Sequence, residues 1–176
     1  MSILPHAVFG ALVGSLFDNP ILSGVAGAVS HVVLDMVPHF DPSISKSKKL
    51  NPIKKKIITA IIAVDVGTAL IVLWFLRGHL NLFAGGLMGP MMDVDNFLQY
   101  KSRYFPLVAK LGITIHTEGN PWHQKLHFKS PIVNFILGVI LQTAVVTIGL
   151  YLLWLKYPDL EGLFRFFMPL HLPFLG

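Results

Sequence analysis

The sequence contains no cysteine, and only 13% of its 176 residues are charged. The absence of cysteine excludes disulfide bonds and thiolate ligands, so a transition-metal site in this chain must use His, Asp or Glu. The composition is 53% hydrophobic with a mean hydropathy of +0.65, whereas soluble domains are roughly 45–50% apolar and 25% charged. We therefore predict an integral membrane protein, with residues 1–176 forming a single domain.

Hydrophobic stretches separated by turn signals predict about five helices, which gives an all-α, polytopic membrane bundle over residues 1–156. The segments 57–76 and 131–155 are long enough to cross a membrane, which takes about 20 residues. The segments 7–17, 21–37 and 80–92 are shorter and rich in glycine, which permits close helix packing. We expect residues 157–176 to form an aromatic interfacial tail.

Basic residues are concentrated in the loops after the second and fourth segments. Of the 14 Lys and Arg residues, all but Arg77, Lys156 and Arg165 fall on that side. Because cytoplasmic loops are enriched in Lys and Arg, we predict a multi-pass protein of the inner (plasma) membrane with a cytoplasmic N-terminus. We expect no cleavable signal peptide, since the first six residues lack a basic n-region. Lysine-rich loops suit anionic lipid, so the expected partner is membrane lipid and not nucleic acid.

Ionisable residues recur regularly at the end of the second segment. His31, Asp35 and His39 are spaced four residues apart, so on an α-helix they share one face. Such side chains are costly in apolar surroundings unless they face a partner, a metal or a wet cavity. Pro38 is expected to end the regular helix and to leave His39 and Asp41 in a turn.

The predicted topology brings His and Asp side chains from four stretches of the chain to the cytoplasmic end of the bundle. Imidazoles and carboxylates together suit a divalent ion, with Zn²⁺ favoured over Mn²⁺. The predicted metal ligands are His6, His31, Asp35, His39, Asp41, Asp93, His123 and His127, and Asp35 and Asp93 are also the predicted catalytic residues. Since these are more ligands than one ion needs, either two ions bind or some carboxylates orient the imidazoles.

Asp65 is the acidic residue in the middle of the third segment. Counting 1.5 Å per residue places it at about the depth of His31 on a neighbouring helix. One interpretation is therefore that Asp65 is a buried acceptor that pairs with His31 for packing or proton transfer.

Four short motifs resemble the small bacterial inner-membrane proteins described as membrane-bound and metal-dependent hydrolase-like. They are His6-Ala7-Val8-Phe9-Gly10, the run L-D-M-V-P-H-F-D over 34–41, the run M-M-D-V-D-N over 91–96, and the pair His123 and His127 before the last hydrophobic helix. The H-R-G-x-T-H-S element usual in that family is absent here. The resemblance covers most of the chain from residue 6 to about 155 and implies a helical membrane protein with hydrolase activity.

Two classes of function are compatible with these patterns. The first is a membrane-embedded, metal-dependent hydrolase that cleaves a phosphoester or acyl bond of a lipid-like substrate at the cytoplasmic interface, with Asp35 or Asp93 as general base or ligand orienter. The second is a non-enzymatic membrane protein, either a metal or proton carrier or a scaffold with a polar core. An acid in mid-span, Asp65, favours transport, while clustering at one end of the bundle favours an enzyme.

Overall fold

The computed structural model describes residues 2–36, 51–92 and 131–167. Throughout these ranges the chain is helical and contains no strand, which confirms the all-α prediction. Each of the five predicted hydrophobic segments forms a helix, and a short sixth helix lies in the predicted tail. The helices are α1 (Ile3–Gly14), α2 (Pro20–Asp35), α3 (Pro52–Leu76), α4 (Leu80–Met91), α5 (Pro131–Lys156) and α6 (Glu161–Phe167), with a 3-10 turn at Pro158–Leu160 before α6.

The turn between α1 and α2 follows directly from local sequence. Asn19 occupies the N-cap of α2, and its side-chain oxygen accepts hydrogen bonds from the amides of Ile21 and Leu22. Pro20 follows at the first helical position, where its missing N–H costs nothing and its fixed φ suits a helix. The two short helices are therefore joined by a tight, internally bonded turn.

The described connections, which join α1 to α2, α3 to α4 and α5 to α6, lie at one end of the bundle, here called the turn end. Asn81 at the start of α4 donates to the carbonyl of Phe17 at 3.2 Å. Lys156 at the end of α5 donates to the carbonyl of Ser15. His79, between α3 and α4, lies 2.7 Å from Asp159 after α5. These contacts fix the antiparallel arrangement that short connections predict.

α1 lies at the centre of the described bundle and packs against α2, α3, α4 and α5. On one side it contributes to a fully apolar core with α3, α5, the first turn of α4 and the chain that follows α5. The buried members of this core are Val8, Ala11, Val72, Leu76, Leu82, Leu150, Leu153, Leu160 and Leu163. The ionisable residues of α1 and α2 lie outside this apolar core.

On its other side α1 forms a tight three-helix unit with α2 and α4, whose backbones meet at glycines. A Cβ added to Gly27 of α2 would lie 2.9 Å from both the Cα and the carbonyl carbon of Gly85 in α4. A Cβ on Gly85 would lie 3.0 Å from the Cα of Gly14 and closer still to the carbonyl of Gly10. Real Cβ atoms do not approach backbone this closely, so the packing requires glycine at these positions.

Within residues 2–36, 51–92 and 131–167, two helices are long and apolar enough to cross a membrane by length and composition. They are Lys56–Leu76 and Ile136–Lys156, with hydropathies of 2.3 and 2.2, and only 17% and 22% of their apolar windows are buried. The outer face of α2 is also apolar, since Ile21, Val25 and Val29 are all more than half exposed. The described helices thus present an apolar outer surface.

Candidate metal centre

Three of the predicted metal ligands meet where α1 and α2 lie side by side. His6 of α1 stacks on His31 of α2, with ring centroids 4.0 Å apart and ring planes inclined by 23°. The carboxylate of Asp35 reaches both imidazoles: Oδ1 lies 3.2 Å from Nε2 of His6, and Oδ2 lies 3.1 Å from Nε2 of His31. A single carboxylate therefore bridges histidines from two helices.

Helix register brings these residues to the same level. Near the turn end, the hydroxyl of Ser23 in α2 donates to the carbonyl of Gly14 in α1 at 2.9 Å. From this contact His31 is eight residues onward along α2, and His6 is eight residues back along α1. Because the helices are antiparallel and each residue rises 1.5 Å, both imidazoles lie about 12 Å from the contact. The i, i+4 spacing then places Asp35 on the same face as His31.

The α4 helix packs against the backbone of α1 at His6. A Cβ on Gly89 would clash with the backbone carbonyl of His6, so the two backbones are in direct contact. Together with the short distance between α1 and α2, this leaves His6 and His31 fully buried and Asp35 only 5% exposed. Within the described residues the cluster is enclosed by helix packing.

The geometry of the cluster fits a divalent ion. One ligand atom from each of His6, His31 and Asp35 lies within 4.8 Å of the other two. With Zn–N and Zn–O distances of about 2.0–2.2 Å, tetrahedral ligand atoms are roughly 3.3–3.5 Å apart, which is within this 4.8 Å limit. Nδ1 of the buried His6 imidazole has no hydrogen-bond partner among the described residues. Two imidazoles and a carboxylate are also a donor set that zinc uses.

The other five predicted ligands, His39, Asp41, Asp93, His123 and His127, lie outside the described residues. Two of the described helices lead toward them in sequence: α2 ends at Asp35, shortly before the first two, and α4 ends at Met91, two residues before Asp93. The convergence of all eight candidate ligands therefore stays a prediction, whereas the meeting of His6, His31 and Asp35 is observed.

Asp65 has a different partner from the one expected. We expected its carboxylate to pair with His31, but it accepts hydrogen bonds from the backbone amides of Ile3 at 2.6 Å and Leu4 at 3.1 Å, the first two residues of α1. The expected similarity in depth holds, since these amides lie within one helical turn of His6. The backbone amides bind this carboxylate because the N–H groups in the first turn of a helix have no intrahelical acceptors.

This contact also sets the depth of the cluster. Asp65 lies about 20 Å along α3 from Pro52 and about 16 Å from Leu76. The start of α1, and with it His6, is therefore level with the middle of α3. We expected His6 at the end of the bundle, and its position level with the middle of α3 is a consequence of how short α1 is.

Two contacting residues were not singled out from the sequence for the roles they have. Lys156 was placed outside the basic loops, and the structure shows it bonded to the C-cap residue of α1, Ser15. Asp65 was considered as a buried acceptor and is half-buried, but a backbone partner leaves no trace in side-chain patterns. The signal available for both was charge at an otherwise apolar helix position, which indicates a partner without identifying it.

Comparisons with protein-family models, with curated proteins and with solved structures found no match to this chain. The residues and their geometry are therefore the basis for a functional proposal.

Proposed function

We propose that this chain is a membrane-embedded, metal-dependent hydrolase that acts on a lipid-like phosphoester or acyl substrate. The observation that carries the proposal is the meeting of His6, His31 and Asp35 from two helices, with a single carboxylate bridging two stacked imidazoles. Three protein ligands of these types, with a further position open, are typical of catalytic zinc sites.

The three residues divide the work at such a site. His6 and His31 would supply imidazole nitrogens to the ion, and Asp35 would supply the negative charge that offsets part of a divalent ion's charge in apolar surroundings. A bound divalent ion would supply an acidified water and a Lewis acid at the scissile group. Burial of the cluster keeps bulk water from the site and strengthens each of these electrostatic interactions. Asp93, two residues after α4, is proposed as a general base.

The membrane part of the proposal is supported by where the apolar surface lies. The long helices α3 and α5 have spanning windows that are mostly exposed, whereas a core helix of a soluble protein is mostly buried. We place the turn end, with Arg77 and Lys156, on the side away from the cytoplasm, in accordance with the positive-inside rule.

An integral location predicts a simple extraction result. The full chain should stay in the membrane pellet after alkaline carbonate and after urea, and should enter solution only with detergent, because its exposed helix faces are apolar. Immunoblotting of the two fractions measures this. Release of most of the protein by carbonate would contradict the membrane assignment.

The competing function, a metal or proton carrier or a polar scaffold, is favoured by one observation. The cluster lies level with the middle of α3, which is a depth at which ionisable groups often mark ion pathways or fix helix packing. A hydrolase at that depth requires a substrate whose scissile bond enters from the lipid phase, which is why a lipid-like substrate is part of the proposal.

Metal content and lipid hydrolysis, measured together on the detergent-purified full chain, test the proposal. We expect about one Zn or Mn per chain by mass spectrometry, and phosphate or fatty-acid release from mixed phospholipid micelles that stops with a chelator and returns with added metal. His31→Ala should lose both properties. His79→Ala is the matched control, because His79 also pairs with an acid but lies at the turn end.

Each outcome separates the two functions. Metal without hydrolysis in any lipid class supports the carrier, and neither metal nor hydrolysis supports the scaffold. A wild-type protein and a His31→Ala variant with equal metal content would overturn the site itself.

A further inference from the structure

The two ends of α1 are held by side chains of opposite charge from the two longest helices. At the N-terminal end, Asp65 of α3 accepts from the amides of Ile3 and Leu4. At the C-terminal end, Lys156 of α5 donates to the carbonyl of Ser15. A carboxylate at the positive end and an ammonium at the negative end of a helix both complement its dipole. These are interactions between distant parts of the chain, so α1 is anchored to both long helices.

Asp65 provides the hydrogen-bond acceptor for the backbone amides in the first turn of α1. The N-cap residue, Ser2, makes no side-chain capping hydrogen bond. Ile3 and Leu4 are the first two helical residues, and the third, Pro5, has no N–H. Asp65 therefore accepts from both of the helical first-turn amides that lack an intrahelical acceptor.

This anchor lies next to the candidate metal centre. His6 is the residue after Pro5 and is fully buried, so its side chain leaves the helix at the end of the turn that Asp65 holds. From the side, α4 fixes the carbonyl of His6 through Gly89. α4 thus restricts movement of His6 across the helix, and Asp65 restricts fraying and sliding of the turn that carries it.

We propose that Asp65 is a positioning residue for the centre: by binding the first turn of α1, it holds the His6 imidazole against His31 and Asp35. Only the expected effect of Asp65 on metal affinity rests on the proposed function. Its effect on the position of His6 exists with or without metal.

A purely structural role for Asp65 is the alternative, and Lys156 provides the matched comparison. Both residues anchor the same helix through a charged side chain and a backbone group. Ser15, the partner of Lys156, is nine residues from His6, or about 14 Å along the helix. A general loss of α1 anchoring affects Asp65→Ala and Lys156→Ala alike, whereas positioning of His6 distinguishes them.

The test uses the full chain in detergent with isotope-labelled histidine, and compares wild type, Asp65→Ala, Asp65→Asn and Lys156→Ala. In metal-free protein, the His6 ring resonances, shifted by stacking on His31, should move toward unstacked values in Asp65→Ala and stay in place in Lys156→Ala. Asp65→Asn keeps the volume and one acceptor oxygen, so it should give an intermediate shift. This variant also serves if Asp65→Ala does not fold.

Zinc affinity by chelator competition is the second measurement. Removing a partner outside the ligand set typically costs about 10–100-fold in metal affinity. Asp65 acts on His6 through the backbone, so its effect should lie at the lower end of this range. We therefore expect about a tenfold loss of zinc affinity in Asp65→Ala and none in Lys156→Ala. A wild type that binds neither zinc nor manganese while the His6 resonances still move would overturn the proposed function and leave the positioning role. Equal His6 resonances in Asp65→Ala and Lys156→Ala would overturn the positioning role and leave the proposed function.

Discussion

Gly85→Leu should abolish the folded bundle, and Gly85→Ala should weaken it severely. A Cβ on Gly85 meets the carbonyl of Gly10 and lies 3.0 Å from the Cα of Gly14, so the atoms in its way belong to the backbone of α1 and not to a side chain that can rotate. Accommodating even one methyl group requires α1 and α4 to separate. Overpacking of this kind costs about 1–3 kcal/mol and sometimes more, which we expect for alanine, while leucine should give no folded protein.

Gly67→Ala is the matched control, because Gly67 is also a helical glycine but has no atom within 4 Å of an added Cβ. Alanine favours helix by up to about 1 kcal/mol relative to glycine, so this variant should be as stable as wild type or slightly more stable. Unfolding in mixed detergent micelles measures the difference. If Gly85→Ala unfolds at the same denaturant fraction as Gly67→Ala, the close contact of α1 with α4 is refuted.

The effect of Gly85 extends to the candidate metal centre. α4 reaches His6 through Gly89, four residues after Gly85 and on the same face of the helix. Moving α4 outward would remove one of the supports of the His6 backbone. We therefore expect the surviving Gly85→Ala protein to lose metal affinity as well as stability, whereas Gly67→Ala should keep both.

The presence of the helices and several of their limits were predictable because these depend on local sequence, although α1 begins at Ile3 and α3 at Pro52, before the predicted starts at residues 7 and 57. Asn19 and Pro20 end one hydrophobic segment and begin the next, and the structure has α2 starting at Pro20. The long segment predicted over 57–76 ends at Leu76, as α3 does. Hydrophobicity, turn residues and capping act within a few residues of each other, so a single sequence contains the information that sets these boundaries.

The candidate site was predictable only in part, because it depends on register between helices. The spacing of His31 and Asp35 within α2 could be read directly, and the structure confirms that both face the same cluster. That His6 would stack on His31 depends on the contact of Ser23 with Gly14, and many registers of two glycine-rich helices look equally favourable in sequence. The prediction of the partner of Asp65 was wrong for a related reason. Backbone amides are the same at every position, so the sequence does not indicate which of them a carboxylate will bind.

Asp35→Asn should remove metal binding while leaving the fold intact. Asp35 is the one carboxylate among the described ligands, and its two oxygens lie 3.2 Å from His6 and 3.1 Å from His31. Asparagine keeps the shape of the side chain but removes the charge that attracts a divalent ion in apolar surroundings. Since loss of a partner outside the ligand set already costs about 10–100-fold in affinity, loss of this ligand should cost more than 100-fold.

The stability of the metal-free Asp35→Asn protein then distinguishes a metal centre from a polar scaffold. If the cluster exists to bind metal, the buried carboxylate destabilises the metal-free protein. Asparagine should then leave the free energy of unfolding unchanged or slightly higher. If the carboxylate and imidazoles exist to join the helices, removing one partner of a buried pair should cost about 3–5 kcal/mol.

The matched control is Asp159→Asn, which changes a carboxylate that is 64% exposed and pairs with His79 at the turn end. Such an exposed pair contributes about 0–1 kcal/mol, so this variant should bind metal normally and unfold close to wild type. Normal zinc affinity in Asp35→Asn would refute the metal centre, and a severe loss of metal-free stability with it would establish the scaffold in its place.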